Sequence, residues 1–442
     1  MSILNVNKIN PVGGGSTITI AGIASVTNNI SVGNSVTAGS FVGPIEGNVT
    51  GNVTGNVTGD ATGLSGNPSI NTTGIVTATS FVPTVGQLSH RNIIINGAMT
   101  VAQRGTSSTT SGYGSVDRFN VINSGTDESP THAQVDVASG TTPFTLGFRK
   151  ALRVTNGNQT GGAGTLDFIT MRYKVEAQDI ANSGWNYTSA TSFVTMSFWC
   201  KSSVAQNFYG YLYSHDGTAQ AYAFETGSLS ANTWTKVVLK IPGNSNLQFD
   251  NNNDIGLDIY ISQFWGTDRT DGGKNLNSWA SYNGAARTRD FTSTWYTTND
   301  ATFELTGLQL EVGPVATPFE HRSYGEELTR CHRYYQKLSG DVLTYYGVGN
   351  VDGGTMAQIL VNFVTEMRAA PGTMDTSGTN GDYTIRMNSN ATCTQQPALS
   401  NRTTKNAMVI FYASGHGFTN GQACFARAAN NTNGFLGFSA EL

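Results

Sequence analysis

The sequence predicts a mainly β protein, drawn out into a fibre of several identical chains. The composition is rich in Gly, Asn, Thr and Ser and poor in strong helix formers, which favours strands joined by tight turns. Apolar and polar residues alternate over many short segments, as half-buried antiparallel strands require. A four-residue unit also recurs near the N-terminus, and such strict repeats are typical of chains that stack along an axis.

The amino-acid composition, the net charge and the lengths of the apolar runs argue against several classes of function. Charged residues are only 12% of the chain and the formal net charge is −4, so we expect no nucleic-acid binding. No run reaches the ~18 apolar residues of a membrane span, and residues 1–9 lack the apolar core of a signal peptide. We therefore expect that the protein is made in a cytoplasm and does not insert into a membrane. We also expect no cofactor.

The short repeat occupies residues 47–64. It reads GNVT three times and then GDAT, so an extended strand would carry Gly and Val on one face. That apolar stripe is too thin to form a core within one chain, and its glycines let neighbouring backbones approach closely. We interpret residues 47–90 as a β shaft wound from identical chains, which implies an obligate homo-oligomer. Phe41 and Phe81, from a second repeat, would fill its axis; a loop-rich linker is the alternative.

Residues 91–320 have the pattern of a β-sandwich. Segments 194–201, 235–241 and 255–261 each alternate one apolar face with one more polar face. In segment 303–312 the apolar phase slips by one residue at Gly307, which predicts a β-bulge there. Many short strands over this length predict two sheets of jelly-roll type.

One helix is predicted between the sandwich and the last part of the chain. Ser323 and Glu326 form a capping box, and an apolar face follows them, so we predict a helix over residues 323–337. This helix connects the sandwich to a β-rich tip of about 100 residues. There Asn406–Tyr412 reads as a strand, whereas residues 356–367 fit either a strand or a helix.

Aromatic residues near Gly, Asn and Asp are the candidates for binding a glycan or another receptor. Flat aromatic faces beside polar groups suit sugars, and affinity then comes from many copies acting together. The alternative role of these side chains is packing or contact between subunits. The candidates in the sandwich and then in the tip are Trp265, Trp279, Tyr282, Trp295, Tyr296, Tyr345, Tyr346, Tyr383, His416 and Phe418.

Signals for metals and catalysis are weak. Asp250, Asn252 and Asp254 form an oxygen-rich segment that could bind calcium, although a polar turn is the alternative. Cys331 and His332 lack a second pair at zinc spacing, and the four cysteines lack CxxC spacing, so we expect free thiols. No GxSxG, HExxH or phosphate loop is present, and no pair of carboxylates stands out for sugar hydrolysis. We therefore expect a protein that is not an enzyme.

Four segments resemble the tail-fibre and receptor-binding proteins of tailed bacteriophages, especially those of cyanobacteria and other marine bacteria. The most specific of them, residues 308–335, begins LQLEVGPVATPFEHRSYGEEL. The others are residues 92–105, 117–119 and 434–442. The GNVT run and residues 74–82 resemble the shafts of cyanophage structural proteins.

The resemblance implies an elongated homotrimeric fibre on the virion. Residues 1–46 would attach to a tail, baseplate or other virion protein, and residues 47–90 would form an intertwined shaft. The jelly-roll-like sandwich (91–320), the connecting helix (321–338) and the tip (339–442) would face a host polysaccharide or outer-membrane receptor. The resemblance also favours a strand within residues 356–367. Because the repeat is short, a head fibre or capsid decoration without a receptor is the main alternative, and a polysaccharide-depolymerising spike is a lesser one.

Overall fold

The computed structural model describes Ile9, Gly13 and residues 89–339 and 341–442. The predicted attachment segment, the GNVT repeat, Phe41 and Phe81 lie outside the described residues, so those interpretations stay predictions. All elements below belong to one compact unit.

The first part of this unit is a sandwich of two antiparallel six-stranded sheets, as predicted. The first sheet, in spatial order, contains β1 (Ser107–Ser108), β3 (Thr131–Asp136), β4 (Lys150–Thr155), β12 (Thr302–Val312), β6 (Phe193–Ser202) and β9 (Thr235–Pro242). The second contains β11 (Trp279–Ser281), β8 (Gln220–Ser228), β7 (Asn207–Ser214), β10 (Ile255–Trp265), β5 (Phe168–Glu176) and β2 (Phe119–Ser124). Short helices α1 (Thr142–Thr145), α2 (Ala177–Ala181) and α3 (Thr294–Thr297) lie in the connections.

Alternating side chains explain how the two sheets pack. On β6, Val194, Met196 and Phe198 are fully buried in one apolar core. They meet the inward residues of the opposite sheet, such as Ile259 on β10. This burial of one face on each sheet drives the sandwich together.

The bulge predicted in β12 is confirmed. The pairing of β12 with β6 shifts between Thr306 and Gln309, and Gly307 adopts a φ of +66°. A side chain at this glycine would be strained by that φ, and a Cβ would lie 2.6 Å from the Phe148 ring. The bulge therefore needs glycine for both backbone and packing reasons.

The C-terminal part contains two further antiparallel sheets and a separate core. The three-stranded sheet contains β13 (Tyr335–Ser339), β22 (Phe435–Ser439) and β16 (Thr373–Thr376). The seven-stranded sheet contains β18 (Asn390–Thr392), β17 (Tyr383–Arg386), β21 (Ala423–Ala428), β14 (Tyr345–Asp352), β15 (Met356–Asn362), β20 (Asn406–Tyr412) and β19 (Ala398–Arg402). The ambiguous segment 356–367 thus begins with a strand, and the strand predicted at Asn406–Tyr412 is confirmed.

The connecting helix is shorter than predicted. Helix α4 runs over Tyr324–His332, and its N-cap Ser323 accepts a hydrogen bond from the Glu326 amide, as the capping box predicts. The prediction was wrong beyond His332, because the chain from Tyr335 pairs with β22 instead of extending the helix. Tertiary strand pairing therefore overrides the local helical pattern. Among the described helices, none is long and apolar enough to cross a membrane.

Two of the segments that carry the phage resemblance are hydrogen-bonded to each other. The Asn92 side chain accepts from the amides of Ile94 and Leu310, and its amide group donates to the Leu308 carbonyl. The Asn96 amide donates to Glu327 over 2.5 Å. A Cβ at Gly97 would lie 2.1 Å from the Leu308 oxygen, so only glycine permits this approach. We call this arrangement the clasp: residues 92–97 joined to residues 308–327.

A buried polar network joins the end of the chain to the sandwich. Arg118 is 1% exposed and pairs with Glu441, which also accepts from Arg104 over 3.2 Å. The Arg118 guanidinium lies 3.3 Å above the Tyr334 ring centroid. Nearby, Arg333 forms two 2.7 Å hydrogen bonds with Glu176, which is fully buried. We call this set, Arg104, Arg118, Glu176, Arg333, Tyr334 and Glu441, the C-terminal latch.

The substitution Glu441→Gln should lower the free energy of unfolding by about 3 kcal/mol, because it leaves the Arg118 charge buried without its partner. Guanidinium unfolding followed by tryptophan fluorescence measures this change. The control Glu326→Gln removes only the exposed pair with Arg330 and should cost less than about 0.5 kcal/mol. Equal small losses in the two variants would show that the latch does not stabilise the fold.

Candidate functional site

The outer face of the second sheet carries a row of tyrosines. On β7, Tyr209, Tyr211 and Tyr213 alternate with core residues and point away from the sandwich interior. Tyr260 on β10 pairs with Tyr211 in register, and the two rings stack at 4.3 Å. We call this surface the tyrosine face; it consists of the outward side chains of β5, β7 and β10, together with His215 and Tyr282, which contact Tyr213.

Asp258 is the polar centre of the tyrosine face. It is fully buried, and its Oδ2 accepts hydrogen bonds from Arg172 Nε at 3.1 Å and His215 Nε2 at 2.8 Å. Tyr260 donates to the same oxygen at 3.3 Å, while Oδ1 has no partner among the described residues. Burial alone would lower the pKa of Arg172, but the charge and hydrogen bond of Asp258 raise it above its usual value. Asp258 therefore holds Arg172 as a fixed cation beside an unused acceptor.

A loop from the same domain covers much of this face. The Tyr282 ring lies 4.4 Å from the Tyr213 ring, and Arg287 donates to the Tyr282 hydroxyl. The Arg287 guanidinium lies 4.5 Å from the centroid of Trp265. Tyr211 is 2% exposed beneath this cover. Burial raises the pKa of Tyr211 well above its usual value, so its hydroxyl stays neutral.

Four side chains at one end of the tyrosine face remain accessible. Arg172 and His215 are 19% and 27% exposed, and Tyr213 and Tyr282 are half-buried. We call these four residues the open end of the tyrosine face. They combine two aromatic rings with a charged donor, and Asp258 lies directly behind them. Such a group can stack on the apolar face of a pyranose and hydrogen-bond its hydroxyls.

The structure divides the five candidates predicted in the sandwich among several places. Trp295 and Tyr296 are fully buried in the core, with hydrogen bonds to Thr302 and Asp167. Trp265 is 3% exposed and stacked on Phe168. The proposal of a surface role was therefore wrong for these three aromatic residues. Their rings are packed in the interior, and their polar atoms are hydrogen-bonded there.

The other two sandwich candidates differ from each other. Trp279 packs on the core residue Tyr222, and its indole donates to the Pro242 carbonyl at 2.7 Å. That role is structural. Of the five, Tyr282 alone lies at the open end.

The candidates in the tip are also split. Tyr346 and Tyr383 are 5% and 0% exposed and belong to the C-terminal core, so a receptor-contacting role for them was wrong. Tyr345 is 55% exposed and contacts Phe425. Exposed His416 stacks on half-buried Phe418 with ring centroids 5.8 Å apart. These exposed rings form two small aromatic pairs.

The proposed calcium segment is a hydrogen-bonded turn. The Asp254 and Asn252 carbonyls accept from the amides of Ala177 and Gln178, and the Asn252 side chain accepts from the Asp254 amide. Asp250 is exposed. Among the described residues, no three His, Cys, Asp or Glu side chains lie close enough to hold a metal ion.

All four cysteines are free, as predicted, and all four are buried. Burial raises the pKa of the Cys200 and Cys393 thiols to about 12, so neither is a reactive thiolate near neutral pH. Burial likewise raises the pKa of Cys331, and it lowers the pKa of the neighbouring His332. The pair is therefore a neutral thiol beside a neutral imidazole.

The residues at the open end were missed at the sequence level, apart from Tyr282. The signal was present on β7, where Tyr209, Tyr211 and Tyr213 recur with a period of two. Three tyrosines on the same face of a strand, opposite an apolar face, indicate an aromatic outer surface. Arg172, His215 and Asp258 carry no comparable pattern, since strand pairing alone brings them together.

Comparisons with known proteins identify no family for this chain. No family model matches it, and no curated protein matches it. Among solved structures, the enzymatically active domain of tailspike protein 4 from bacteriophage CBA120 shows 10% identity and a TM-score of 0.26, covering 50% of this chain and 21% of that domain. The family 11 carbohydrate-binding module of Clostridium thermocellum shows 11% identity and a TM-score of 0.22, covering 49% of this chain and 98% of the module.

A tandem domain, CBM22-1–CBM22-2 of Xyn10C from Paenibacillus barcinonensis, shows 10% identity and a TM-score of 0.25. It covers 81% of this chain and 98% of its own length. At such low TM-scores and identities, these likenesses support no inference about the activity of this chain.

Trp295 is buried and Tyr213 is half-exposed, so replacing each by alanine should lower the free energy of unfolding by very different amounts. Trp295→Ala should lower the free energy of unfolding by about 3–5 kcal/mol, because it opens a cavity in the sandwich core. Tyr213→Ala should cost no more than about 1 kcal/mol, because its ring is half-exposed. Guanidinium unfolding compares both with the unsubstituted chain. A small cost for Trp295→Ala would contradict its burial in the core.

Proposed function

We propose that this protein binds a glycan on a bacterial surface without chemical turnover. The observation that carries the proposal is the open end of the tyrosine face. There Tyr213 and Tyr282 offer half-exposed rings beside two nitrogen donors, the charged Arg172 and the imidazole of His215. The buried Asp258 fixes both donors, so the site needs little reorganisation to bind.

We further propose that the chain is a homotrimeric fibre of a phage virion, most simply a tail fibre that adsorbs to the host. The support is the sequence resemblance of residues 92–105 and 308–335, together with the GNVT repeat. Residues 1–90 would join the fibre to another virion protein. Identical binding faces on several chains would then act together, which strengthens weak individual binding.

An exposed apolar row on the C-terminal sheet also supports contact between copies of the chain. Phe425, Val348 and Leu360 are paired across neighbouring strands and are 46%, 56% and 39% exposed. The outward neighbours Asn350 and Asn362 on β14 and β15 are uncharged. A largely apolar face suits a second copy, since contact between copies would remove its apolar side chains from water.

The alanine substitution Tyr213→Ala should reduce glycan binding at least tenfold, because it removes one of the two accessible rings. A microarray of bacterial surface polysaccharides identifies a bound glycan, and surface plasmon resonance on that glycan measures the loss. The matched control is Tyr324→Ala, whose ring is 60% exposed on helix α4, and it should bind normally.

Unchanged affinity in both Tyr213→Ala and Tyr282→Ala would exclude this face as the binding site. If the intact chain bound no polysaccharide and did not compete with phage adsorption, a purely structural fibre would be favoured. Release of reducing sugar from the bound polysaccharide would instead favour a depolymerase.

Deleting residues 47–62 should weaken the trimer but leave the described sheets folded, because the repeat is proposed to hold the chains together and the described cores are built from residues 94–440. Light scattering at several concentrations reports assembly, and circular dichroism reports the fold. A deletion of equal length within residues 14–35, which spares the repeat, is the control. Finding the intact chain as a monomer at every concentration would contradict the trimer proposal.

A further inference from the structure

The first sheet carries a separate cavity on its own outer face. This cavity has a volume of about 390 Å³, which is within the range of small-molecule sites. It lies where the bulge at Gly307 meets the segment that follows β12. The tyrosine face lies on the other sheet, so the two sites are distinct.

The walls of the cavity are mainly aromatic. Phe148 and Phe319 meet edge to face with ring centroids 4.9 Å apart, and half-buried Trp199 lies across from them on β6. Gly307 permits this arrangement, because any side chain there would displace the Phe148 ring. The cavity therefore offers flat apolar surfaces that are fixed by packing.

Polar groups line one side of the cavity. The floor includes Ser197, which is 4% exposed, and Thr317. His321 Nε2 lies 2.9 Å from the Leu146 carbonyl, which can only accept, so this nitrogen carries the hydrogen. In a neutral ring, the other nitrogen is then free to accept from a ligand hydroxyl.

The cavity has a cation without a protein partner. Lys236 is exposed and is paired with Trp199 across the strands, and it has no carboxylate partner among the described residues. The neighbouring carboxylate Glu311 accepts from the amide and hydroxyl of Thr317, at 2.8 and 2.6 Å. Glu320 is likewise paired with Arg322. Glu311 has only neutral donors and keeps its negative charge, but it is 2% exposed and does not line the cavity. No carboxylate lines the cavity, so Lys236 is the charged side chain of its wall.

We propose that this cavity binds a hexuronic acid residue of an acidic polysaccharide. The apolar face of the pyranose would stack on Trp199, and its carboxylate would pair with Lys236. Ser197, Thr317 and His321 would bind the hydroxyls. The proposal rests on the glycan-binding function proposed above and adds a second site with a preference for acidic sugars.

Saturation-transfer NMR titrations of the full chain with methyl β-D-glucuronide and methyl β-D-glucoside test this proposal. The intact chain should bind the glucuronide more tightly than the glucoside. Lys236→Gln should weaken glucuronide binding about three- to fivefold and leave glucoside binding unchanged, since it removes one exposed charge pair. Trp199→Ala should abolish binding of both sugars, and thermal unfolding checks that it remains folded.

The substitution Tyr213→Ala separates the two sites, because it alters the tyrosine face alone. Glucuronide binding that survives Tyr213→Ala and is lost in Trp199→Ala supports the cavity. The opposite pattern overturns the cavity proposal and leaves the tyrosine face as the glycan site. Equal binding of both sugars by the intact chain and Lys236→Gln, or no binding of either, also overturns it, while polysaccharide binding tests the tyrosine face independently.

Discussion

The ion pair between Arg118 and Glu441 is the constraint on which the described structure depends. An unpaired charge at so buried a position would cost several kcal/mol, so each partner requires the other. Arg118 directly precedes β2, an edge strand of the second sheet, and Glu441 follows β22. Pairing them fixes the last strand, β22, against the sandwich. Through β22, the strands β13 and β16 are held as well. The segment from Phe435 to Glu441 is therefore part of the core architecture.

The clasp has a related role at the other end of the described residues. Asn92 and Asn96 bind the backbone and side chains of residues 308–327, so the entry to the sandwich and its exit are tied together. Both segments belong to those in which the sequence resembles phage fibre proteins. Their polar residues are used for internal hydrogen bonds, and the accessible rings lie elsewhere. The resemblance to phage fibres therefore rests on structural residues, and the binding residues must be found from the surface.

The sequence predicted the sandwich well because strand alternation is a local signal: the strands at 194–201 and 235–241, and the bulge at Gly307, follow from residue order alone. The sequence did not predict the structure correctly where contacts between residues far apart in the chain determine it. Helix α4 ends at His332 because Tyr335 finds a partner strand about 100 residues later. Trp295 and Tyr213 belong to the same residue class, yet packing buries one ring and leaves the other half-exposed. Aromatic content in a polar segment cannot separate these outcomes, whereas the tyrosine alternation on β7 could have.

The two outer faces of the sandwich share one feature: each carries aromatic side chains that a neighbouring segment covers in part. Each sheet must leave some aromatic side chains outside the core, and exposed rings invite unspecific association. On one sheet, the loop that carries Tyr282 and Arg287 covers Trp265. On the other, the segment that carries Phe319 and His321 covers Phe148. Neither cover is complete, and each opening has a cation at its edge, Arg172 or Lys236. Arg172 is fixed by Asp258 and Lys236 is free, so the first site is suited to neutral hydroxyls and the second to a carboxylate.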